Sequence, residues 1–131
     1  MSGLLVVVPV LSHTYADICV ESMLMSDSAA GFCPDEILVV DNTREGTAGK
    51  YGLRTHRDPD GHNLGVARSW NVGAREVLER GLDYLVICSA MMRFGPILHT
   101  TWRAQLDEFW GARVIETHTQ SWHAIALHRS V

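Results

Sequence analysis

The sequence predicts an α/β fold in which a mostly parallel sheet is covered by helices on both faces. Short apolar runs of strand length recur along the chain, and segments with apolar residues at helical spacing separate them. The 131 residues suit one domain that can bury a sizeable core. No repeat, linker or low-complexity tract interrupts the chain. We therefore expect a single domain over residues 1–131, built as a three-layer α/β/α sandwich.

Six strands are predicted, because runs rich in Val, Ile and Leu alternate with turn residues. The runs LLVVV and EILVVD are continuously apolar, which is typical of strands buried on both faces of a sheet. The later runs are shorter and more mixed. The predicted strands are Leu4 to Val8, Glu36 to Asp41, Leu53 to His56, Tyr84 to Cys88, Arg113 to Thr117 and Trp122 to His128.

Three helices are predicted between these strands, since apolar residues recur every three or four positions. The first extends to about Ser28, and Gly31 and Pro34 end it. The second begins after the turn sequence DPDG and ends near Gly81. The apolar stripes are Ala16, Val20 and Met23 in the first helix, Val66, Trp70, Ala74, Val77 and Leu78 in the second, and Leu98, Trp102, Leu106 and Phe109 before Gly111 in the third.

Charge and hydropathy exclude several classes of protein. The chain has 11 basic and 15 acidic residues, a formal charge of −4, and no basic stripe, so a nucleic-acid-binding surface is not expected. The longest apolar run, residues 4–11, is too short to span a bilayer, and no basic leader or cleavage site precedes it. We expect a cytoplasmic protein without a transmembrane segment.

The cysteine and histidine patterns give no metal signature. Cys19, Cys33 and Cys88 lack the pair spacing of zinc sites, so we interpret them as free thiols in the core. Seven histidines are present without an HExxH motif. The sequence therefore predicts no zinc site.

Candidate binding residues follow the predicted strands, because ligands of open α/β sheets bind outside the carboxyl ends of the strands. The first strand ends in Val8-Pro9-Val10, the second in Asp41-Asn42, and a later one in Ser89-Ala90-Met91. A carboxylate that ends a buried strand needs a partner or a ligand. Asp41 can accept from a base N–H or a ribose hydroxyl, or it can cap a helix or turn. Both interpretations remain open.

Four motifs in register resemble family 2 glycosyltransferases of the GT-A fold. They are VVVPV near the start, ILVVDN, NLGVARSWNVG and LDYLVICSA, and the final SWHAIALHRSV is similar to the segment that precedes the catalytic half in that family. The resemblance covers essentially the whole chain in the right order. It implies a nucleotide-diphospho-sugar transferase fold, binding of a nucleotide-sugar donor, most simply a UDP-sugar, and glycosyl transfer to an acceptor that the sequence does not identify.

The resemblance also implies roles for individual residues. Pro9 matches the proline of the turn that wraps the nucleotide base, and Val10 and Leu11 replace its polar partners with apolar walls. Asp41 matches the acid that contacts the uracil or ribose, followed by Asn42. Arg68 matches a basic residue beside the base or diphosphate, where a guanidinium suits stacking and charge-assisted hydrogen bonds.

Ser89, Ala90 and Met91 occupy the position where the family carries its Asp-x-Asp motif. In that motif carboxylates hold Mn²⁺ or Mg²⁺, which neutralises the departing diphosphate. Serine and methionine cannot replace carboxylates for a hard cation. We therefore expect donor binding through these three residues without a metal ligand, and a metal cofactor is in doubt.

Three functional alternatives follow. The family's catalytic base lies further along than Val131, so the resemblance implies a donor-binding portion without its catalytic and acceptor half, with Glu116 as the one fallback base and no catalytic residue assigned. A non-catalytic nucleotide-sugar-binding or interaction module that has lost its metal site remains open. A dinucleotide-dependent oxidoreductase is disfavoured, because no glycine occurs between Gly3 and Gly31 to form GxGxxG.

Overall fold

The computed structural model describes most of the sheet and the long helix of the chain. The described residues are 3–11, 17, 19–21, 23–24, 32–46, 52–88, 110–118 and 123–130, with the backbone alone for 115–118 and 123–124. The predicted third helix, residues 98–111, and the predicted site residues Ser89, Ala90 and Met91 lie outside these ranges, apart from Trp110 and Gly111 in turns at the helix's predicted end.

Six strands form one mixed sheet in the order β3-β2-β1-β4-β6-β5. The strands β1 to β4 run parallel, β6 is antiparallel to β4, and β5 is antiparallel to β6, so β5 runs in the same direction as β1 to β4. This confirms an α/β fold with a mostly parallel sheet. The strands are β1 (Leu4–Val10), β2 (Ile37–Asp41), β3 (Arg54–His56), β4 (Tyr84–Ile87), β5 (Val114–His118) and β6 (His123–His128).

All six predicted strands are confirmed, with ends that shift by one or two residues. The start of β2 shows why such shifts occur. Glu36 was predicted to open the strand, but it ends a 3-10 helix, Pro34–Glu36. Its Oε1 accepts a hydrogen bond of 2.9 Å from the backbone N–H of Cys33. Because this side chain closes a turn, the extended backbone begins one residue later, at Ile37.

The long helix α1 (Gly65–Arg80) has the two ends that the sequence predicts. Gly65 adopts a φ of 77°, where residues with a Cβ are strained, and its N–H donates to Oδ1 of Asn63 over 2.8 Å. At the other end Gly81 has a left-handed backbone conformation, and its N–H donates to the carbonyls of Val77 and Leu78 in the last turn of the helix. Residues 17, 19–21 and 23 are also helical, as predicted. In the described part of the chain, no helix has the length and apolar composition to cross a membrane.

Two apolar clusters cover the two faces of the sheet, since alternate residues of a strand point to opposite faces. On one face, Leu5, Val7, Leu38 and Val40 pack with Val77 of α1. The other cluster includes residues of the first helical segment. Its buried members are Leu4, Val6, Val8, Val10, Cys19, Met23, Phe32, Ile37, Val39, Tyr84, Val86, Cys88 and Ala126. The continuously apolar strands are therefore buried on both sides, as their sequences predict.

The buried face of α1 differs from the predicted apolar stripe. Val66 and Leu78, both assigned to the stripe, are 56% and 65% exposed. The buried residues are Ser69, Gly73 and Val77, spaced four apart on one face, and of these only Val77 belongs to the predicted stripe. Trp70 and Ala74 of the stripe are half-buried against the same cluster as Val77. A search for large apolar residues misses this face, because two of its three positions carry small side chains that bring the helix backbone close to the sheet.

The three cysteines are free thiols, but they do not share one environment. Cys19 and Cys88 are buried in the same cluster, as expected. A hydrogen bond with the Cys19 side chain, together with burial, raises the pKa of Cys88 well above its usual value. The prediction was wrong for Cys33, which is exposed. It precedes Pro34 in the turn that leads into β2, outside the apolar runs.

Gly73→Ala should destabilise the fold, because α1 packs against β1 without space for a Cβ. An added Cβ would lie 2.8 Å from Cβ of Val7 and 3.0 Å from Cδ1 of Leu85. Overpacking of this kind costs about 1–3 kcal/mol in unfolding free energy. Asn71→Ala, on the exposed side of the same helix, is the control and should change stability by about 0.5 kcal/mol or less. Urea unfolding curves measure both. A Gly73→Ala chain as stable as the wild type would contradict the close packing.

Candidate functional site

The pairing of β1 with β4 ends before the carboxyl end of β1, and we call this place the opening between β1 and β4. The β1–β4 ladder ends at the pair Val7 and Ile87, whereas the β1–β2 ladder continues to the pair Val10 and Asp41. Pro9 lies beyond the last β4 pair, where a residue without an N–H is tolerated in a central strand. The chain passes from β1 to β2 on one side and later places β4 on the other, and ligands of such sheets bind at this kind of switch point.

Asp41, the last residue of β2, organises the loop that follows it. Its Oδ1 accepts from the backbone N–H of Thr43 over 2.9 Å and from the Thr43 hydroxyl over 2.6 Å. Nη1 of Arg57 lies 3.2 Å from the same oxygen. The Thr43 hydroxyl in turn accepts from the N–H of Gly46 over 2.9 Å. Residues 41–46 are therefore folded around one buried carboxylate, which is 2% exposed.

Asn42 joins the end of β2 to the start of α1. Its Nδ2 donates to the hydroxyl of Ser69 over 2.9 Å, and its Oδ1 accepts from the N–H of Leu64 over 3.0 Å. Its own N–H donates to the carbonyl of Val10 over 2.8 Å. The hydroxyl of Ser69 in turn donates a hydrogen bond to the carbonyl of Gly65 over 2.6 Å. One buried amide thus fixes the relative positions of β1, β2 and the first turn of α1.

The residues predicted for the nucleotide site fall into buried and accessible groups. Val10, Asp41 and Asn42 are buried and Pro9 is half-buried, whereas Leu11 is 68% exposed. Arg68 is exposed in the first turn of α1, directly before Ser69, and its guanidinium makes no hydrogen bond or ion pair with another described residue. Of the two predicted apolar walls, Leu11 offers a surface to a ligand, while the side chain of Val10 belongs to the core.

Of the two interpretations of Asp41, its contacts correspond to the turn cap. The carboxylate accepts two hydrogen bonds from Thr43, two residues along the chain, which is a common aspartate turn. Direct contact with a base or ribose stays a prediction. A ligand that reached this group would have to share a carboxylate that already holds a loop and faces a guanidinium.

Thr43, Arg57 and Ser69 take part in the site without having been predicted. Thr43 and Ser69 are buried polar residues whose hydroxyls satisfy Asp41 and Asn42. Arg57 pairs with Asp41 from the segment after β3. A buried acid at a strand end demands a cation, and Arg57 stands directly after a predicted strand, so charge pairing between strand ends was the signal that could have indicated it.

A divalent cation does not fit Ser89, Ala90 and Met91, the residues that the sequence resemblance matches to a metal motif. Ser89, Ala90 and Met91 carry no carboxylate. Among described residues, Asp58, Asp60 and His62 have ligand atoms within 4.8 Å of one another. Oδ2 of Asp58 already accepts from the N–H groups of Asp60 and His62, over 3.0 Å and 3.2 Å. These three residues form a turn, and a turn closed in this way needs no ion.

The direction of β5, which the sequence does not define, brings Glu116 towards the same edge of the sheet. Its backbone pairs with Ile125 of β6, and Ile125 pairs with Ile87 at the carboxyl end of β4. Glu116 is therefore level with the end of β4 and two strands away, about 10 Å across the sheet. The backbone of Glu116, the fallback base, therefore lies at the carboxyl edge of the sheet but two strands away from β4.

A second concavity lies at the side of the molecule, between β3 and α1. It has a volume of about 280 Å³. Arg54 and Arg80 both pair with Glu76 there. It is remote from the opening of the sheet, and we prefer the strand ends as the functional site. The lining residues are Leu38, Arg54, Thr55, His56, Val72, Arg75, Glu76 and Glu79.

Comparison with known proteins adds no family to these observations. No protein-family model matches the chain, and no curated protein matches it. A function for the chain therefore has to be argued from its motifs and from the geometry of the strand ends.

Asn42→Ala should destabilise the chain by about 1–3 kcal/mol, because it leaves the buried hydroxyl of Ser69 and the N–H of Leu64 without their partner. Asn63→Ala is the matched control. It also removes an amide that accepts a backbone N–H at the start of α1, but that amide is exposed to water. Thermal or urea unfolding measures the difference. Equal losses for the two variants would contradict the structural role of the buried amide.

Proposed function

We propose that this chain binds a nucleoside-diphosphate sugar at the carboxyl edge of its sheet, as the donor-binding domain of a family 2-like glycosyltransferase. One observation carries the proposal. The motif residues Asp41-Asn42 lie at the start of the helix that carries Arg68, because Asn42 donates to Ser69, the residue that follows Arg68. The sequence motifs and the switch point of the sheet therefore indicate the same place.

Electrostatics beside the opening favour an anionic ligand. The first turn of α1 contains no acid and carries the exposed Arg68. The start of a helix has a partial positive charge, which stabilises a nearby phosphate. Among the side chains that the structure describes at this edge, Asp41 is a buried acid, and it pairs with Arg57. A diphosphate is thus expected at the start of α1, with Arg68 as its charged contact.

The base and ribose are assigned to the ends of β1 and β2. Leu11 is exposed directly after β1 and provides an apolar surface for the base. Asp41 and Asn42 hold loop 41–46 beside it, and this loop supplies the polar contacts to the base or ribose. The donor is expected to be a UDP-sugar, which the family resemblance implies.

A GT-A-like three-layer sandwich is the finer fold that we propose for the chain. A sheet with five strands in one direction and one antiparallel strand is compatible with it. So is the presence of an apolar cluster on each face, one against α1 and one that includes Cys19 and Met23 of the first helical segment.

A second function, a non-catalytic nucleotide-sugar-binding module, is favoured by one observation. The position of the family's metal motif carries Ser89, Ala90 and Met91, which cannot hold the cation that stabilises the leaving diphosphate. Both functions share the donor site. Turnover of a UDP-sugar with an acceptor panel separates them, because only the enzyme consumes the donor.

The wild-type chain should bind UDP, and both Asp41→Ala and Arg68→Ala should weaken binding. A charge-assisted hydrogen bond contributes about 1.5–3 kcal/mol, which corresponds to a loss of about ten- to a hundred-fold in affinity. Isothermal titration calorimetry with UDP, GDP and dTDP measures the affinity and the choice of base.

Arg75→Ala is the control for this experiment. Arg75 is exposed on α1 two turns after Arg68, and it lines the cavity between β3 and α1. It should leave UDP binding unchanged. A loss of affinity in Arg75→Ala with none in Arg68→Ala would move the ligand to that cavity. Equal heats for the wild type and Asp41→Ala would remove the assignment of Asp41.

UDP binding should depend little on divalent metal, because no carboxylate stands at residues 89–91. Titrations with Mn²⁺ and with a chelator should give affinities within about ten-fold of each other, a difference below 1.4 kcal/mol. A larger effect of Mn²⁺ would contradict the prediction. The turn of Asp58, Asp60 and His62 would then be tested with Asp60→Asn, which removes a ligand at an exposed position.

A further inference from the structure

Arg57 links two loops at the carboxyl edge of the sheet. Its Nη1 donates to the carbonyl of Thr43 over 2.7 Å, and its Nη2 donates to the carbonyl of Arg44 over 3.2 Å. Nη1 also lies 3.2 Å from Oδ1 of Asp41. A single guanidinium, reaching from the end of β3, therefore holds both the loop after β2 and the carboxylate around which that loop folds.

Two glycines lie at ordinary contact distance from this guanidinium. Gly46 belongs to the loop after β2, and Gly61 belongs to the turn after Arg57, and both have positive φ values, 86° and 73°. A Cβ at Gly46 would lie 3.6 Å from Cζ of Arg57, and a Cβ at Gly61 would lie 3.4 Å from its Nη2. Both loops thus approach Arg57 with bare backbone.

The turn that contains Gly61 continues into the start of α1. The N–H of Gly61 donates to the carbonyl of Asp58 over 2.9 Å, which closes the turn. Three residues later the N–H of Leu64 donates to Asn42, in the loop after β2. Arg57 on one side and Asn42 on the other therefore hold these two loops together beside the proposed ligand site.

We propose that Arg57 is a positioning residue for this site, and that it holds loop 42–46 in place and compensates the charge of Asp41. This inference rests on the proposed function. Without Arg57 the buried carboxylate of Asp41 loses this guanidinium, and its negative charge repels a diphosphate at the start of α1 more strongly. Arg57 itself acts through the loop and the carboxylate and makes no contact with the donor.

A double-mutant cycle on UDP affinity tests the charge compensation. Arg57→Gln should weaken UDP binding by about ten- to a hundred-fold in the wild-type background. In the Asp41→Asn background Arg57 compensates no charge and only its hydrogen bonds to the loop are lost, so the loss of affinity should be at least about five-fold smaller. Arg57→Lys retains the charge and should bind UDP within about ten-fold of the wild type. Equal effects of Arg57→Gln in both backgrounds would overturn the charge compensation.

Uridine provides a second readout, because a general loss of structure would weaken the binding of uridine and of UDP equally. Because uridine lacks the diphosphate, the negative charge of Asp41 lowers its affinity less than it lowers the affinity of UDP. The loss of affinity in Arg57→Gln should therefore be at least about five-fold greater for UDP than for uridine. Equal losses for the two ligands would contradict an electrostatic role of Arg57.

Hydrogen exchange tests the loop itself without a ligand. In Arg57→Gln the amides of Thr43 and Gly46, which donate to Asp41 and Thr43, should exchange about ten-fold faster or more than in the wild type. Arg54→Gln is the control, since Arg54 lies in β3 and pairs with Glu76 on the side of the molecule. Unchanged exchange in Arg57→Gln would overturn the positioning role. If the wild-type chain binds no nucleotide, the proposed function fails and this exchange measurement decides on Arg57 by itself.

Discussion

The buried carboxylate of Asp41 at the end of β2 is the constraint on which the candidate site depends. A charge removed from water is tolerated only when partners surround it. Here they are the N–H and hydroxyl of Thr43 and the guanidinium of Arg57. Satisfying one carboxylate therefore shapes the loop after β2 and brings the segment after β3 against it. The neighbouring Asn42 is also buried, and its side-chain amide is hydrogen-bonded to Ser69 and to the N–H of Leu64, which connects the loop to α1.

The packing below this edge explains why the loops meet where they do. β1 and β2 are buried on both faces, and α1 lies close to β1 because Gly73 has no side chain. Close packing places the first turn of α1, with Ser69, within hydrogen-bond reach of Asn42. The separation of β1 from β4 after Val7 then leaves an opening next to these polar groups. The close packing of α1 on β1 therefore both completes the core and positions the candidate site.

The sequence predicted most of the described architecture, because apolar runs and turn residues define strands directly. All six strands were predicted, and so were the start of α1 after the turn DPDG and its end near Gly81. The prediction of the buried face of α1 was wrong in part, since Ser69 and Gly73 are small and carry no hydropathy signal. The partners of Asp41 were missed for a different reason. Arg57 is separated from it by 16 positions, and only the pairing of β2 with β3 brings the two together.

The central claim, that a nucleoside diphosphate binds at the opening between β1 and β4, is tested most directly by locating the ligand on the chain. A titration of ¹⁵N-labelled protein with UDP, followed through backbone amide chemical shifts, gives that location. We expect the largest shift changes at Leu11, in loop 42–46 and in the first turn of α1. Changes confined to residues 54–56 and 75–79, around the cavity between β3 and α1, or no changes at millimolar UDP, would contradict the claim.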